Sequence, residues 1–396
     1  MASICFYFQL HQPYRLRHFT IFDRTPDYFD EAANRTILRR VADRCYLPTN
    51  ALIHELIRRH GGRFRVAFSL TGVLLDQLAR HAPEVITAFQ RLAETGAVEF
   101  LAETYYHSLA FLYSREEFTA QVRQHTDRIR TLFGQTPRVF RNTELIYNNT
   151  LARAAADLGF QAVLCEGADH LLGYRAPTYL YTPPGLTGIK LLLKNYRLSD
   201  DIAFRFSDRT WAEWPLTSAK FARWVQQVNG NGYVVNLFMD YETFGEHQGA
   251  QTGIFDFLRH LPEEVFRLGA DDFRTPRECI TAYPASGEYD VPHMISWADT
   301  ERDLSAWLGN AMQSNALHEL YRLEPLVLQR GDPDLLEDWR RLQSSDHFYY
   351  MSTKHLADGA VHQYFNPYES PYDAFINFMN VLDHLRGRLG AAQRSA

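Results

Sequence analysis

Short apolar runs alternate with longer stretches of helical spacing over roughly the first 240 residues. "ASICFYFQL" (2–10), "RFRVAFSLTG" (63–72), "AVEFLAE" (97–103) and "RVFRNTE" (138–144) read as strands. So do "QAVLCEG" (161–167), "GIKLLLKN" (188–195) and "YVVNLFMDYE" (233–242). Helical spacing fills the gaps. It runs from Arg35 to His60 with a break near Pro48, and over 73–96 with a split at Pro83. "REEFTAQVRQHTDRIRTLFG" is introduced by Ser114 as cap, has Glu117 at the capping-box position and stops at Gly134. Strands that alternate with crossover helices form a parallel sheet covered on its faces. Seven such units predict an α/β fold with a closed or nearly closed barrel.

The pattern changes towards the C-terminus. The segment 273–293 holds three prolines and reads as a connector. From about Ser296 onward the spacing predicts no strand, and three long amphipathic helices over 301–331, 333–354 and 372–390. The expected division is a barrel over 1–280 and a helical bundle over 281–396 that completes the cleft.

Composition narrows the function. Of 396 residues, 46% are hydrophobic and 22% charged, with a net charge of −6 and no basic stripe. Nucleic acid is therefore not an expected partner. No apolar run approaches the ~20 residues of a membrane span, so no membrane is expected either. The first residues lack a secretory pattern, and the four cysteines are scattered with no CxxC, which suggests a reducing cytoplasm. No phosphate-binding glycine loop suggests a nucleotide, and no cofactor or metal is expected. Aromatic residues make up 14%, which suits a rich core and equally a site where rings stack on pyranoses. Oligomeric state is not readable.

The strand ends carry the candidate chemistry. "FMDYETFGEH" places Asp240, Glu242 and Glu246 directly after an apolar strand. In a parallel barrel every strand delivers its C-terminal end to one face, where loops hold the chemistry. If the chain stays extended, Asp240 and Glu242 point to the same side. His11 follows the first strand, Glu99 and Glu103 mark the third and Glu144 the fourth. A pair of carboxylates on one face is what glycoside cleavage needs, one attacking the anomeric carbon and one passing a proton. Each residue also has an ordinary reading. Glu144 could open a helix or pair with arginine, Asp240 could cap a helix, Glu99 could be a paired strand residue, Glu246 a surface charge and His11 a satisfied core histidine.

Taken together and in order, "HQP", "GAVEFL", "RNTELI" and "MDYETFG" resemble glycoside hydrolase family 57, whose members include α-amylases, 4-α-glucanotransferases, branching enzymes and amylopullulanases. The resemblance implies an incomplete (β/α)7 barrel followed by a helical region, and an α-glucan or malto-oligosaccharide substrate. It implies Glu144 as nucleophile and Asp240 as general acid/base, with His11, Glu99 and Glu242 in the substrate site. The late stretch "SSDHFYYMS" is similar to the family's last motif, which makes Asp346 a sugar-contacting acid and puts Tyr349 where many members carry tryptophan. "AETYYHS" departs from the small residues common in relatives, so Glu103 and His107 are expected to shape specificity. Retaining cleavage of α-1,4 bonds, as by an α-amylase, is the leading expectation, with glucan transfer or branching as alternatives. A more distant alternative is a non-catalytic glucan-binding protein. A metal-dependent polysaccharide deacetylase would want an H-x3-H pair of ligands, and none occurs.

Overall fold

The computed structural model describes residues 2–269, 272–354 and 365–391. The expected helical region also spans 355–364 and 392–396, which lie outside the described residues.

The strands are β1 (Ser3–Leu10), β2 (Val66–Leu70), β3 (Val98–Phe100), β4 (Val139–Arg141), β5 (Ala162–Glu166), β6 (Leu180–Thr182), β7 (Lys190–Lys194), β8 (Val234–Asp240), β9 (Asp272–Phe273) and β10 (Ala285–Glu288). One sheet runs β3-β2-β1-β8, with β9 pairing with the start of β1; the other runs β10-β6-β7-β5-β4. Every pairing is parallel except β6 with β7. The sheets meet at two seams. Beyond β3, Ala102 N donates to Val139 O at 3.0 Å and Arg141 N to Ala102 O at 2.9 Å. Between β7 and β8 a single backbone bond, Asn195 N to Asn236 O at 2.9 Å, is joined by Asn236 Nδ2 donating to Leu193 O at 2.8 Å. A buried side-chain amide thus stands in for a ladder there. The architecture is the incomplete (β/α)7 barrel with a following helical region that the strand pattern and the resemblance imply.

Alternation along the strands sorts the core into two layers. From β1, Ile4, Phe6 and Phe8 pack outward under the helices, while Cys5 and Tyr7 point into the barrel against Ala67, Leu101, Val139, Leu164, Leu192 and Phe238. The interior core is small, and polar side chains replace it towards the C-terminal ends of the strands.

Several elements differ from the sequence reading. β6, β9 and β10 are too short for a period to register. The first helix begins at Glu31, and its expected break is instead a π-helical turn, Ala42–Tyr46, feeding Leu47–Arg59 with Pro48 in its first turn. The wider turn accommodates a proline that cannot donate to the helix before it. It also brings Cys45 Sγ to Tyr241 O at 3.1 Å, so the turn braces the loop after β8. Ser114 caps its helix as expected, but the Glu117 carboxylate pairs with Arg340 Nε and Nη2 at 2.9 and 3.0 Å, tying a barrel helix to the C-terminal helices. The three long helices are six segments: Ser305–Leu308, Ala311–Arg322, Glu324–Arg330, Pro333–Arg341, Ser345–Tyr349 and Pro371–Ala391. Asn310 opens a new helix with a reciprocal Gln313 cap, and Pro325 fits only a first turn.

Candidate active site

At or just beyond the C-terminal ends of β1, β2, β3, β4, β5, β7 and β8 stand polar side chains on one face: Gln9, Ser69, Glu103, Arg141 (followed by Glu144), Glu166, Lys194 and Asp240. One cavity there is lined by Gln9, His11, His107, Glu144, Asp240, Glu242, Trp297 and Asp346, among others. A second lobe shares Asp240 and Trp297 and is lined also by Lys194, Asp200, Asp299 and Tyr349. The convergence of polar groups from several strand ends is that of a ligand cleft. Of the residues singled out in the sequence, His11, His107, Glu144, Asp240, Glu242, Asp346 and Tyr349 line these two lobes, and Glu103 lies just beneath.

Glu99 does not join them. Along β3 and the chain that follows it, Glu99, Leu101 and Glu103 alternate on the inward row, and four residues of extended chain are ~13 Å. Glu99 therefore sits at the opposite end of the barrel, where its Oε2 accepts from Arg277 N at 2.9 Å. Burial pushes its carboxyl up to about 7 despite that bond. Glu246 is not a free surface charge either: its side chain is buried and accepts from Arg40 Nε at 2.9 Å.

Glu144 stands in a one-turn 3-10 helix, Thr143–Leu145, directly after β4. Its Oε1 lies 3.2 Å from His107 Nε2 and accepts from Ser345 Oγ at 2.9 Å; its Oε2 accepts from Trp297 Nε1 at 2.8 Å. The backbone is unusual here. The non-glycine residues with positive φ among those described are His107 (51°), Glu144 (57°), Leu145 (50°), Asp299 (53°) and Arg302 (52°). His107, Glu144 and Asp299 line the cleft, and Arg302 donates to the Trp297 carbonyl. Left-handed non-glycine backbone costs ~1–3 kcal/mol per residue and collects where surrounding bonds over-determine it, as at functional sites. Asn142 Nδ2 to Ile146 O, 3.1 Å, is one such bond.

Asp240 ends β8, opposite Gln9 of β1. The chain does not stay extended: Tyr241–Thr243 turns into 3-10 helix, yet Asp240 and Glu242 line the same lobe. The loop fits closely on the π-turn, because a Cβ at Gly245 (φ 109°) would fall 2.0 Å from Arg44 O. Glu242 accepts from the Tyr46 hydroxyl. Burial and then the Asp240 charge push Glu242 up to about 8.

Glu103 is fully buried and gathers donors from three strands. Gln9 Nε2 lies 3.2 Å away, the Ser69 hydroxyl donates to it, and Arg141 Nη1 is at 3.8 Å. Burial raises its pKa, but the His107 bond and the His107 and Arg141 charges prevail and hold it down to about 2. His11 Nε2 meets Asp346 Oδ2 at 2.8 Å, and Nδ1 meets Thr71 Oγ1 at 3.0 Å. Burial raises the Asp346 carboxyl, and the His11 hydrogen bond, the nearby His107 charge and the Ser344 hydroxyl reverse this, leaving it well below the usual range.

Sequence reasoning missed Trp297, Ser345, Gln9, Arg141, Lys194 and Glu166. The last three share the inward parity of Val139, Leu192 and Leu164 on their strands, so strand alternation could have found them. Arg141 is fully buried, with Trp297 4.9 Å from its guanidinium carbon. Among the described residues no group of three or more His, Cys, Asp or Glu is arranged to hold a metal ion. No helix among them is long and apolar enough to cross a membrane.

A "Putative alpha-amylase" of Methanocaldococcus jannaschii is 42% identical over 396 residues, covering 96% of this chain and 83% of that one. A family 57 branching enzyme from Thermococcus kodakaraensis superposes with a TM-score of 0.72 at 15% identity, covering 98% of this chain and 90% of its own. The 4-alpha-glucanotransferase from Thermococcus litoralis gives 0.70 at 14% identity over 96% of this chain, which spans only 59% of that enzyme. The sequence profile of glycosyl hydrolase family 57 matches residues 5–292, so this chain belongs to that family.

Proposed function

We propose that the protein is a retaining α-glucan hydrolase that cleaves α-1,4 bonds in the manner of an α-amylase, with Glu144 as nucleophile and Asp240 as general acid/base. The observation that carries this reading is that Glu144 and Asp240, from the ends of β4 and β8, line one cavity. In the first step a Glu144 oxygen bonds to the anomeric carbon while Asp240 gives its proton to the departing glycosidic oxygen. In the second, water attacks that carbon, passes its proton to Asp240 and releases Glu144 as carboxylate. Three donors around Glu144 hold the carboxylate as an anion aimed into the cleft, which supports its role as the attacking group. Glu242 and Asp346 offer hydrogen bonds to sugar hydroxyls, His11 holds Asp346 in place, and Tyr349 offers a ring face. The proposed division at residue 280 leaves Trp297, Ser345, Asp346 and Tyr349 to the C-terminal part, which then completes the site. Four free, buried cysteines support a reducing, cytoplasmic setting.

Chromatography of products from maltoheptaose tests the reading. Only sugars shorter than the substrate are expected. A ladder extending beyond seven units would replace hydrolysis by transfer, and an unchanged substrate would leave a binding protein.

A further inference from the structure

His107 stands between two carboxylates. Its Nδ1 lies 3.3 Å from Glu103 Oε2 and its Nε2 3.2 Å from Glu144 Oε1. A carboxylate only accepts, so both ring nitrogens must donate, and the form that satisfies both is the imidazolium. The neighbouring ring has the opposite requirement. His11 stacks on His107 at 4.0 Å, and its Nδ1 faces a hydroxyl that can donate to it. Two cations at that distance repel, so the pair divides into a charged His107 and a neutral His11. The other charges facing this group are Arg141, 3.8 Å from Glu103, and Asp346 beyond His11. Burial opposes the charge on His107, yet the two carboxylates prevail and push it up to about 9, while burial and His107 together lower His11.

Resting on the reading of Glu144 as nucleophile, we propose that His107 is its positioning residue: a permanent cation, clamped by Glu103, that fixes one oxygen of Glu144 and stabilises that carboxylate each time it is released from the glycosyl-enzyme. During the first step the negative charge of Glu144 is spent in the new bond to the anomeric carbon. During the second, the electrons of that bond return to Glu144, and the charge re-forms 3.2 Å from His107. The cation therefore favours breakdown of the intermediate more than its formation. It also keeps Glu144 ionised in mildly acidic solution.

The test uses the full chain with an activated aryl α-maltoside. For His107→Gln the acid limb of kcat/KM should move up by about one to two pH units, the shift an adjacent opposite charge produces. A pre-steady-state burst should appear or grow, because deglycosylation slows more than glycosylation. Glu103→Gln should shift the limb in the same direction. A rate lowered equally at all pH, with the limb and burst unmoved, would overturn the proposal and leave a packing role. If neither variant folds, nitrogen NMR of the wild type decides: one histidine ring should stay protonated on both nitrogens at pH 8, and its absence overturns the proposal. Mass spectrometry of a trapped fluoroglycosyl-enzyme separates the two readings. A label on a residue other than Glu144 would sink the nucleophile assignment and with it this role, whereas a label on Glu144 with an unmoved limb would sink this role alone.

Discussion

Trp297 donates its indole N–H to Glu144 Oε2 at 2.8 Å, and its backbone N–H to the Glu144 carbonyl at 3.2 Å. The two residues are 153 positions apart. The tip of β4 is thus held by a segment that follows the last strand, and Ser345, later still, holds the other oxygen. The proposed nucleophile is oriented from both parts of the chain.

Trp297→Phe keeps a ring near Arg141 and deletes only the donor. A hydrogen bond to a charged group contributes ~1.5–3 kcal/mol, so kcat/KM should fall about 10- to 100-fold. Steady-state kinetics on maltoheptaose, with thermal melting to confirm the fold, checks this. Unchanged kinetics would mean that the bond orients nothing.

Tyr349 faces the lobe shared with Asp240 while its ring also packs near Trp307, 6.3 Å between centroids. If the ring stacks on a pyranose, Tyr349→Ala should raise KM for maltoheptaose by a factor of about 5, from a contact of ~1 kcal/mol. The side chain is nearly buried, so the same truncation should also lower Tm. Tyr349→Phe, which keeps the ring, should restore most of both.

Glu99 supplies a pH prediction independent of the cleft. Its carboxyl is raised from 4.5 to about 7 in the folded protein, chiefly by burial. Between those values the folded form keeps a proton that the unfolded chain has released, so stability falls as pH rises across that window. Glu99→Gln mimics the protonated form. It should be more stable than wild type at pH 8, by up to about 3 kcal/mol, and equal to it at pH 4. Urea denaturation at the two pH values measures this. Because Glu99 lies at the far end of the barrel, kcat/KM should be unchanged; a large loss would place it in the catalytic machinery after all.

The seven strands were legible because each is a compact apolar run bounded by polar residues, and a parallel barrel then fixes which ends share a face. Glu144, Asp240, His11, Glu242 and Asp346 were found through their motifs, and the strand geometry brings them together. Glu99 was misplaced for a reason of length. The resemblance carried it into the substrate site through "GAVEFL", whereas the extended chain runs four residues further, past the end of β3, before it reaches the cleft at Glu103. Trp297 and Ser345 carry no local signal, since only the closure of the C-terminal segments over the barrel puts them on Glu144. The six C-terminal helix segments were fused in the reading because apolar spacing continues through Asn310, whose side chain caps a new helix, and through Ser344, where the backbone alone leaves the helical region before the helix restarts.

Azide rescue tests the central assignment most directly. With an activated aryl α-glucoside, Asp240→Ala can still glycosylate Glu144, because the leaving group needs no proton. Azide should then displace the sugar from Glu144 and give the α-azide. Glu144→Ala leaves no nucleophile, so azide attacks the substrate itself and gives the β-azide. Opposite anomers from the two variants are the expected result. The same anomer from both, full activity on α-glucan in either, or net inversion by the wild type would contradict the assignment of Glu144 and Asp240.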